Sequence, residues 1–171
     1  LSFADGVVYN REGIRAHTNS DENIYGSDSD DTLYGGLGND SLQGYGGADT
    51  YLFNRGDGQD YIDNGYADGA ETQDVISFGN INSTDVTFTR DLNSAYGDLV
   101  ISVNGTTDSV RLYAYYYTNV DTTAYANINL SFADGVVYNR EGIRAHTNSD
   151  ENIYGTDSDD TLYGGLGNDF L

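Results

Sequence analysis

Single apolar residues recur every nine positions in the first half of the chain. Between residues 26 and 52 they are Leu33, Leu42 and Tyr51, each at the eighth position of a nine-residue unit that otherwise consists mainly of glycine and polar residues. A fixed short period of this kind is typical of a solenoid. We expect each apolar residue to point inward from a three-residue strand, so the pattern predicts a stack of short strands around a thin core.

Three further units keep this frame, although they lack some of the glycines and are separated by insertions of two and five residues. One precedes the regular units and two follow them, at residues 17–25, 55–63 and 69–77. Their eighth positions are again apolar, at Ile24, Ile62 and Ile76. The frame therefore predicts six stacked units, of which the first resembles a capping repeat.

From Ile81 to Phe132 the apolar positions alternate with a period of two. Such alternation is typical of antiparallel strands with one buried face. We expect this segment to form an antiparallel β cap that closes the open end of the solenoid. The alternating residues are Val86, Phe88, Leu99, Ile101, Val103, Val110, Leu112, Ile128, Leu130 and Phe132.

Residues 1–42 recur as residues 130–171 with only two changes, Ser27 to Thr156 and Ser41 to Phe170. The offset of 129 residues indicates a tandem array in which the chain contains one unit and part of the next. Within both copies an Asp-Gly pair between apolar residues predicts a β-hairpin with a two-residue turn. In the first copy a short helical turn is expected to follow, over residues 11–16.

Acidic residues outnumber basic residues by 28 to 7, which gives a formal net charge of −21. A nucleic-acid partner is excluded because phosphate binding needs positive side chains. The self-repulsion opposes compaction, and calcium is the hard cation that suits oxygen-rich, glycine-rich turns. The sequence has no cysteine, which excludes disulfides and thiolate zinc sites. It also has no run of about 18 apolar residues that could span a membrane.

The units match the pattern GGxGxDxUx, in which U is a large apolar residue. Residues 35–43, GGLGNDSLQ, fit at every position, and residues 164–169 fit as far as they run. This pattern resembles the calcium-binding nonapeptide of the repeats-in-toxin (RTX) family. The segment DTYLFNRGDGQDYID at residues 49–63, with the later DVISFG, GDLVIS and FADGVVYN, resembles the domain found beside these repeats in haemolysin-type calcium-binding proteins.

The resemblance implies a parallel β-roll with calcium between turns that lie two units apart. The acids at the sixth positions would bind the ions in pairs, namely Glu22–Asp40, Asp40–Asp60, Asp31–Asp49 and Asp49–Asp74. This implies about four calcium ions in the complete roll, and a fifth between Glu151 and Asp169 in the second roll. Turn atoms would complete each shell, and the further candidate ligands are Asp28, Gly36, Gly38, Gly47, Asp57, Asp157 and Asp160.

The expected fold is therefore all-β: a calcium-binding parallel β-roll (solenoid), then an antiparallel β cap, then the start of a second β-roll. Residues 1–16 are interpreted as the end of a preceding cap, with a hairpin and a short helical turn. Residues 17–78 are assigned to the roll, residues 79–145 to the cap and residues 146–171 to the start of the next roll.

The first functional hypothesis is a calcium-dependent structural repeat module, a spacer or fibre segment of a large secreted or cell-surface RTX-type adhesin. The resemblance implies type I secretion and folding outside the cell when calcium binds. The alternatives are a secretion and folding module of a type I secreted enzyme or toxin, and a glycan-binding module that uses the cap tyrosines. The partners expected besides calcium are neighbouring units of the chain, by head-to-tail association, and glycans or a surface.

We expect no enzymatic activity in the chain itself. Carboxylates at a nine-residue spacing are better explained as ion ligands than as an acid-base pair, and no serine lies in a nucleophile elbow. The cap tyrosines form one run, and alternation exposes some of them unless both faces of the cap are covered. Packing within the cap or against the neighbouring unit is favoured for this run, which consists of Tyr113, Tyr115, Tyr116 and Tyr117.

Overall fold

The computed structural model describes residues 20–64, 73–116 and 127–148, together with residues 166 and 168. Strands dominate these residues, and helix is confined to short segments, so the predicted all-β class is confirmed. The segment interpreted as the end of a preceding cap, residues 1–16, lies outside the described residues. Among the residues that are described, no helix is long and apolar enough to cross a membrane.

Each of the six nine-residue units contributes one short strand. The strands are β1 (Asn23–Tyr25), β2 (Thr32–Tyr34), β3 (Ser41–Gln43), β4 (Thr50–Phe53), β5 (Gln59–Ile62) and β6 (Asp74–Phe78). After a 3-10 turn at Ser83–Asp85 come β7 (Val86–Asp91), β8 (Asp98–Val103), β9 (Ser109–Leu112) and β10 (Ile128–Ser131). The described part of the chain then continues with β11 (Val137–Tyr138), helix α1 (Arg140–His146) and β12 (Thr147–Asn148).

Consecutive units alternate between two sheets. Strands β1, β3 and β5 pair in parallel in one sheet, and β2, β4 and β6 pair in parallel in the other. The register places Leu33 opposite Tyr51 and Leu42 opposite Ile62. Residues at the eighth position of one unit therefore lie opposite residues at the eighth position of the next unit in the same sheet. These four side chains belong to one buried apolar cluster.

The segment predicted as an antiparallel cap continues both sheets. Strands β7, β8 and β9 form antiparallel pairs, but β9 pairs in parallel with β5, and β10 pairs in parallel with β6. The sequence predicted antiparallel strands within this segment, and it did not predict these two parallel contacts with the roll. Apolar residues at every second position indicate that one face of a strand is buried. They do not specify the direction of the neighbouring strand.

The Asp134–Gly135 pair lies in the predicted hairpin, in which β10 and β11 are antiparallel. The last pair in register is Ser131 opposite Val137, so the loop has five residues and not the two expected. The Gly135 N–H donates to the carbonyl of Phe132 at 3.0 Å, and Gly135 has a φ of 81°. Within the loop the Phe132 N–H donates to the carbonyl of Val136 at 3.0 Å, and the Val136 N–H donates to Asp134 Oδ1 at 3.2 Å, so the turn closes inside these five residues.

Large aromatic side chains fill the core beside the later strands. Phe78 stacks on Phe132 with ring centroids 4.9 Å apart, and Phe53 meets Phe78 edge to face at 6.0 Å. Burial of each such ring stabilises the fold by about 1.5–3 kcal/mol. At the opposite end Ile24 is only partly buried and Tyr25 is 61% exposed. The first units therefore need a second source of stability.

Candidate metal centres

The acids at the sixth positions are hydrogen-bonded in series along each sheet. In each case the backbone N–H of one sixth residue donates to the carboxylate of the sixth residue two units further on. The donor–acceptor distances are 2.7 Å for Glu22–Asp40, 3.0 Å for Asp40–Asp60, 2.9 Å for Asp31–Asp49 and 2.7 Å for Asp49–Asp74. We call this series the carboxylate ladder. It joins the pairs named from the sequence, whose role as calcium ligands stays a prediction.

Glycine at the first position makes room for each carboxylate. A Cβ on Gly35 would overlap Asp40 Oδ2, and a Cβ on Gly44 would overlap Asp49 Oδ2. The carboxylate therefore folds back over the first residue of its own unit. The candidate residues Gly36, Gly38 and Gly47 lie in the same turns and have positive φ angles of 87°, 135° and 106°.

Two aspartate side chains of the ladder each have an oxygen without a hydrogen-bond partner. Asp40 and Asp49 are each 1% exposed, and Oδ2 of each accepts no hydrogen bond. A buried charged oxygen without a partner costs several kcal/mol, so such groups are normally paired with a cation or protonated. These atoms therefore indicate where a ligand belongs.

The donor atoms around the ladder fit calcium. They are carboxylate and backbone oxygens, the ligands that calcium takes in sets of six to eight. Among the residues that the structure describes, no group of three or more His, Cys, Asp or Glu side chains could hold a metal. A bound ion would therefore rely on Asp40 or Asp49 together with turn carbonyls, and a zinc site of nitrogen and sulfur ligands is not supported.

Burial raises the pKa values of the ladder carboxyls. For Asp40 the largest cause is burial, to which the charge of Glu22 adds, while the hydrogen bond from the backbone N–H of Glu22 opposes it. Burial likewise raises the pKa of Asp49, with a further increase from the charge of Asp74. The effect is largest at Asp60, where burial and then neighbouring carboxylates raise the pKa to about 8. A bound cation would supply the positive charge that burial withholds from these carboxylates.

A second hydrogen-bonded series, at the fifth positions, was not predicted from the sequence. Side-chain oxygens there accept hydrogen bonds from the backbone N–H of the fifth residue two units later. The distances are 2.8 Å for Asn39 N to Asp21 Oδ1, 2.8 Å for Ala48 N to Asp30 Oδ1 and 3.0 Å for Gln59 N to Asn39 Oδ1. Asp21, Asp30 and Asn39 recur at the fifth position of successive units, which could have indicated this series. Ala48 at the next fifth position interrupts the pattern.

The other candidate ligands are placed differently. Asp28 is exposed. Asp57 is buried, and its oxygens accept from the Asn54 N–H at 2.7 Å and from the Tyr34 hydroxyl at 3.3 Å, which closes the turn before β5. The ligand roles of Asp28 and Asp57 stay predictions. The second-roll candidates Glu151, Asp157, Asp160 and Asp169 lie outside the described residues.

The raised pKa of Asp60 predicts that the calcium-free protein is more stable in mild acid than in mild base. Its pKa is about 8 in the folded chain and near the ordinary 3.8 in the unfolded chain. The stability that its proton contributes is therefore present below about pH 4 and is lost as the pH rises through about 8. Circular dichroism in EGTA should show a weaker strand signal at about pH 8.5 than at about pH 5.

Asp60→Asn should flatten this dependence, because the amide does not titrate. Asp28→Asn removes the same charge at an exposed position and should keep the dependence of the parent chain. If both variants and the parent chain show the same dependence, then general charge repulsion explains it and the role given to Asp60 is wrong.

Comparison with known families adds an independent observation. A family model described as RTX calcium-binding nonapeptide repeat (4 copies) matches residues 18–51, 25–62 and 147–171. A second model, described as haemolysin-type calcium binding protein related domain, matches residues 98–141. No curated protein is significantly similar to the chain. Both resemblances inferred from the sequence motifs are confirmed.

Proposed function

Because this chain belongs to the proteins with RTX calcium-binding nonapeptide repeats, we propose that it is a calcium-dependent structural module of a large secreted or cell-surface protein, an adhesin. Its six units form a calcium-binding β-roll, which the following strands continue and cap. The observation that supports the calcium sites most directly is the pair of buried oxygens without partners, Asp40 Oδ2 and Asp49 Oδ2. The near-identity of residues 1–42 and 130–171 supports a spacer or fibre segment.

Each ladder residue has two tasks in this proposal. One oxygen of the carboxylate accepts a backbone N–H from the turn two units earlier, at 2.7 Å for Asp40, which fixes the orientation of the side chain. The other oxygen is left to face the ion. Calcium would supply positive charge between turns, so that a chain with a net charge of −21 can close into a compact stack.

Calcium titration by calorimetry tests the proposal. We expect about four ions in the complete roll, together with the fifth predicted for the second. Asp40→Asn should bind two fewer ions than the parent chain, because Asp40 belongs to two ladder pairs, whereas Asp74→Asn should bind one fewer. Asp134→Asn removes an equal charge from the exposed hairpin loop and should bind the same number as the parent. Equal losses in all three variants, or no binding at all, would reject the assignment.

The alternative of a secretion and folding module for a type I secreted enzyme or toxin would use the same calcium sites. The two proposals differ in the rest of the protein. Many consecutive units of 129 residues in the parent sequence support a spacer, whereas one or two units beside a catalytic domain support the alternative. The near-identity of the two copies favours the spacer, because repetition adds length without adding a distinct site.

A second candidate is glycan binding on the outer face of the seven-stranded sheet. Tyr113 lies 6.0 Å from Tyr61 and 5.6 Å from Tyr96 between ring centroids. Beside Tyr61 is a groove of about 500 Å³ whose polar lining includes Gln59 and Arg111. Aromatic faces next to hydrogen-bonding side chains suit sugar rings. A glycan array with calcium tests this candidate, and Tyr61→Ala should abolish any signal.

The rest of the tyrosine run does not support this candidate. Tyr115 and Tyr116 are 2% and 8% exposed, so they pack inside the protein as the favoured prediction stated. Tyr117 lies outside the described residues. If glycans bind equally well after Tyr61→Ala, the group of Tyr61, Tyr96 and Tyr113 is not the binding site.

A further inference from the structure

The first residues of the second repeat block pair with β7, which is the outermost strand of the capping segment in the seven-stranded sheet. In β12, Thr147 lies opposite Phe88 of β7, and Asn148 lies opposite Thr89, in a parallel arrangement. The family match to the second block of nonapeptide repeats begins at the same residue, Thr147. The edge of β7, which was expected to close the solenoid, therefore receives the start of the next roll.

The strand directions let the next roll continue the first. Strand β9 is parallel to β5, while β8 is antiparallel to both β9 and β7. The two reversals cancel, so β7 runs in the direction of β1, β3 and β5. Because β12 is parallel to β7, it extends the same seven-stranded sheet in the direction of the first roll.

Side-chain contacts hold Thr147 in this position. The residue is 2% exposed, and its hydroxyl accepts a hydrogen bond from the Tyr116 hydroxyl at 2.7 Å. The same hydroxyl donates to the backbone carbonyl of Ile143 at 2.8 Å. Ile143 is fully buried, so one threonine ties β12 both to the capping segment and to the helix before it.

Helix α1 fixes how the chain approaches β12. The Asn139 side chain caps the helix by accepting the Gly142 N–H at 2.9 Å. At the other end, the His146 ring stacks on Tyr138 with centroids 4.5 Å apart and lies 6.4 Å from Phe88. The backbone N–H of Thr147 donates to the carbonyl of Arg144. The connection between the units is therefore capped at its start, buried at Ile143 and packed against Tyr138 at its end.

We propose that residues 139–148 are a rigid coupling that seats each roll on the edge of β7 in the unit before it. Consecutive units then form one stiff rod with a continuous sheet, in contrast to domains joined by flexible linkers. The inference rests on the proposed function as a repeat module. It adds the interaction surface, which is the β7 edge with Tyr116, and the partner, which is the next unit of the same chain.

Distance measurement by pulsed electron paramagnetic resonance tests the coupling in this chain. Leu37 and Leu166 are equivalent positions 129 residues apart, and they are 41% and 52% exposed. The sequence contains no cysteine, so spin labels on Leu37→Cys and Leu166→Cys are unique. A rigid coupling fixes the offset between these two positions, so one narrow distance distribution is expected.

Two insertions of Gly-Ser-Gly provide matched variants. Insertion after His146 breaks the coupling and should broaden the distance distribution by about twofold. Insertion after Gly105, in an exposed turn where nothing lies within 4 Å of an added Cβ, should leave the distribution unchanged. A broad distribution in the parent chain, or equal widths in both insertion variants, would overturn the coupling.

Circular dichroism on the same labelled samples separates this result from the proposed function. The distances are measured at a calcium concentration at which the chain is folded. A chain that folds with calcium but gives a broad distribution retains the proposed function and loses the coupling. A chain whose folding ignores calcium but whose distribution is narrow loses the calcium mechanism and retains the coupling.

Discussion

Removal of calcium is expected to unfold most of the chain at neutral pH. Extracellular calcium modules have dissociation constants of about 10⁻⁴ to 10⁻³ M, so millimolar calcium at the tighter limit contributes about 1.4 kcal/mol per site. Four sites contribute on the order of 5 kcal/mol, which is comparable with the total stability of a small domain. Without the ions, the buried carboxyls of Asp40 and Asp49 have no compensating charge.

Far-UV circular dichroism and calorimetry in EGTA, followed by stepwise addition of calcium, measure this effect. The strand signal and a cooperative melting transition should appear together as calcium is added. Magnesium is the control, because it demands strict octahedral geometry and loses its water reluctantly, and it should restore little of the signal. Identical spectra and Tm values in EGTA and in calcium would contradict the proposed mechanism.

Gly58→Ala is expected to be the most destabilising of the single substitutions considered. Gly58 has a φ of 106°, and a Cβ there would overlap the carbonyl oxygen of Gly38 in the turn two units earlier. These two residues form a backbone bridge, so neither turn can move without breaking the stack. Strain at positive φ and the backbone overlap together should lower the free energy of unfolding by about 3 kcal/mol or more.

Gly56→Ala is the matched control for Gly58→Ala. Gly56 also has a positive φ, 98°, but nothing lies within 4 Å of an added Cβ. The cost should therefore be only the conformational strain, about 1–2 kcal/mol. Urea unfolding in saturating calcium measures both variants. Equal losses would show that the approach of successive turns is not the limiting factor.

The strand register of the six units could be predicted from the sequence because their period is fixed. One apolar residue per unit must reach the core, and this places Leu42 on Ile62 despite the insertion between them. Glycine at the first and fourth positions then specifies the turns. The pairs at the sixth positions follow from the alternation of units between two sheets. This alternation was inferred from the family resemblance and not from the residues alone.

The arrangement after β6 could not be predicted in the same way. Strand β9 contacts β5 across about 50 residues, and the apolar alternation in β9 is compatible with either direction of its neighbour. Similarly, Asp108 lies far from the roll in sequence, yet it accepts the Gly56 N–H at 2.7 Å. Contacts of this kind depend on tertiary packing and leave no local pattern in the sequence.

Calcium is proposed to lie against the buried oxygens of the carboxylate ladder. Anomalous diffraction from crystals grown with calcium locates such ions directly. We expect peaks bonded to Asp40 Oδ2 and to Asp49 Oδ2, with turn carbonyl oxygens completing each shell at about 2.3–2.6 Å. A folded chain with no anomalous peak at either oxygen would contradict it.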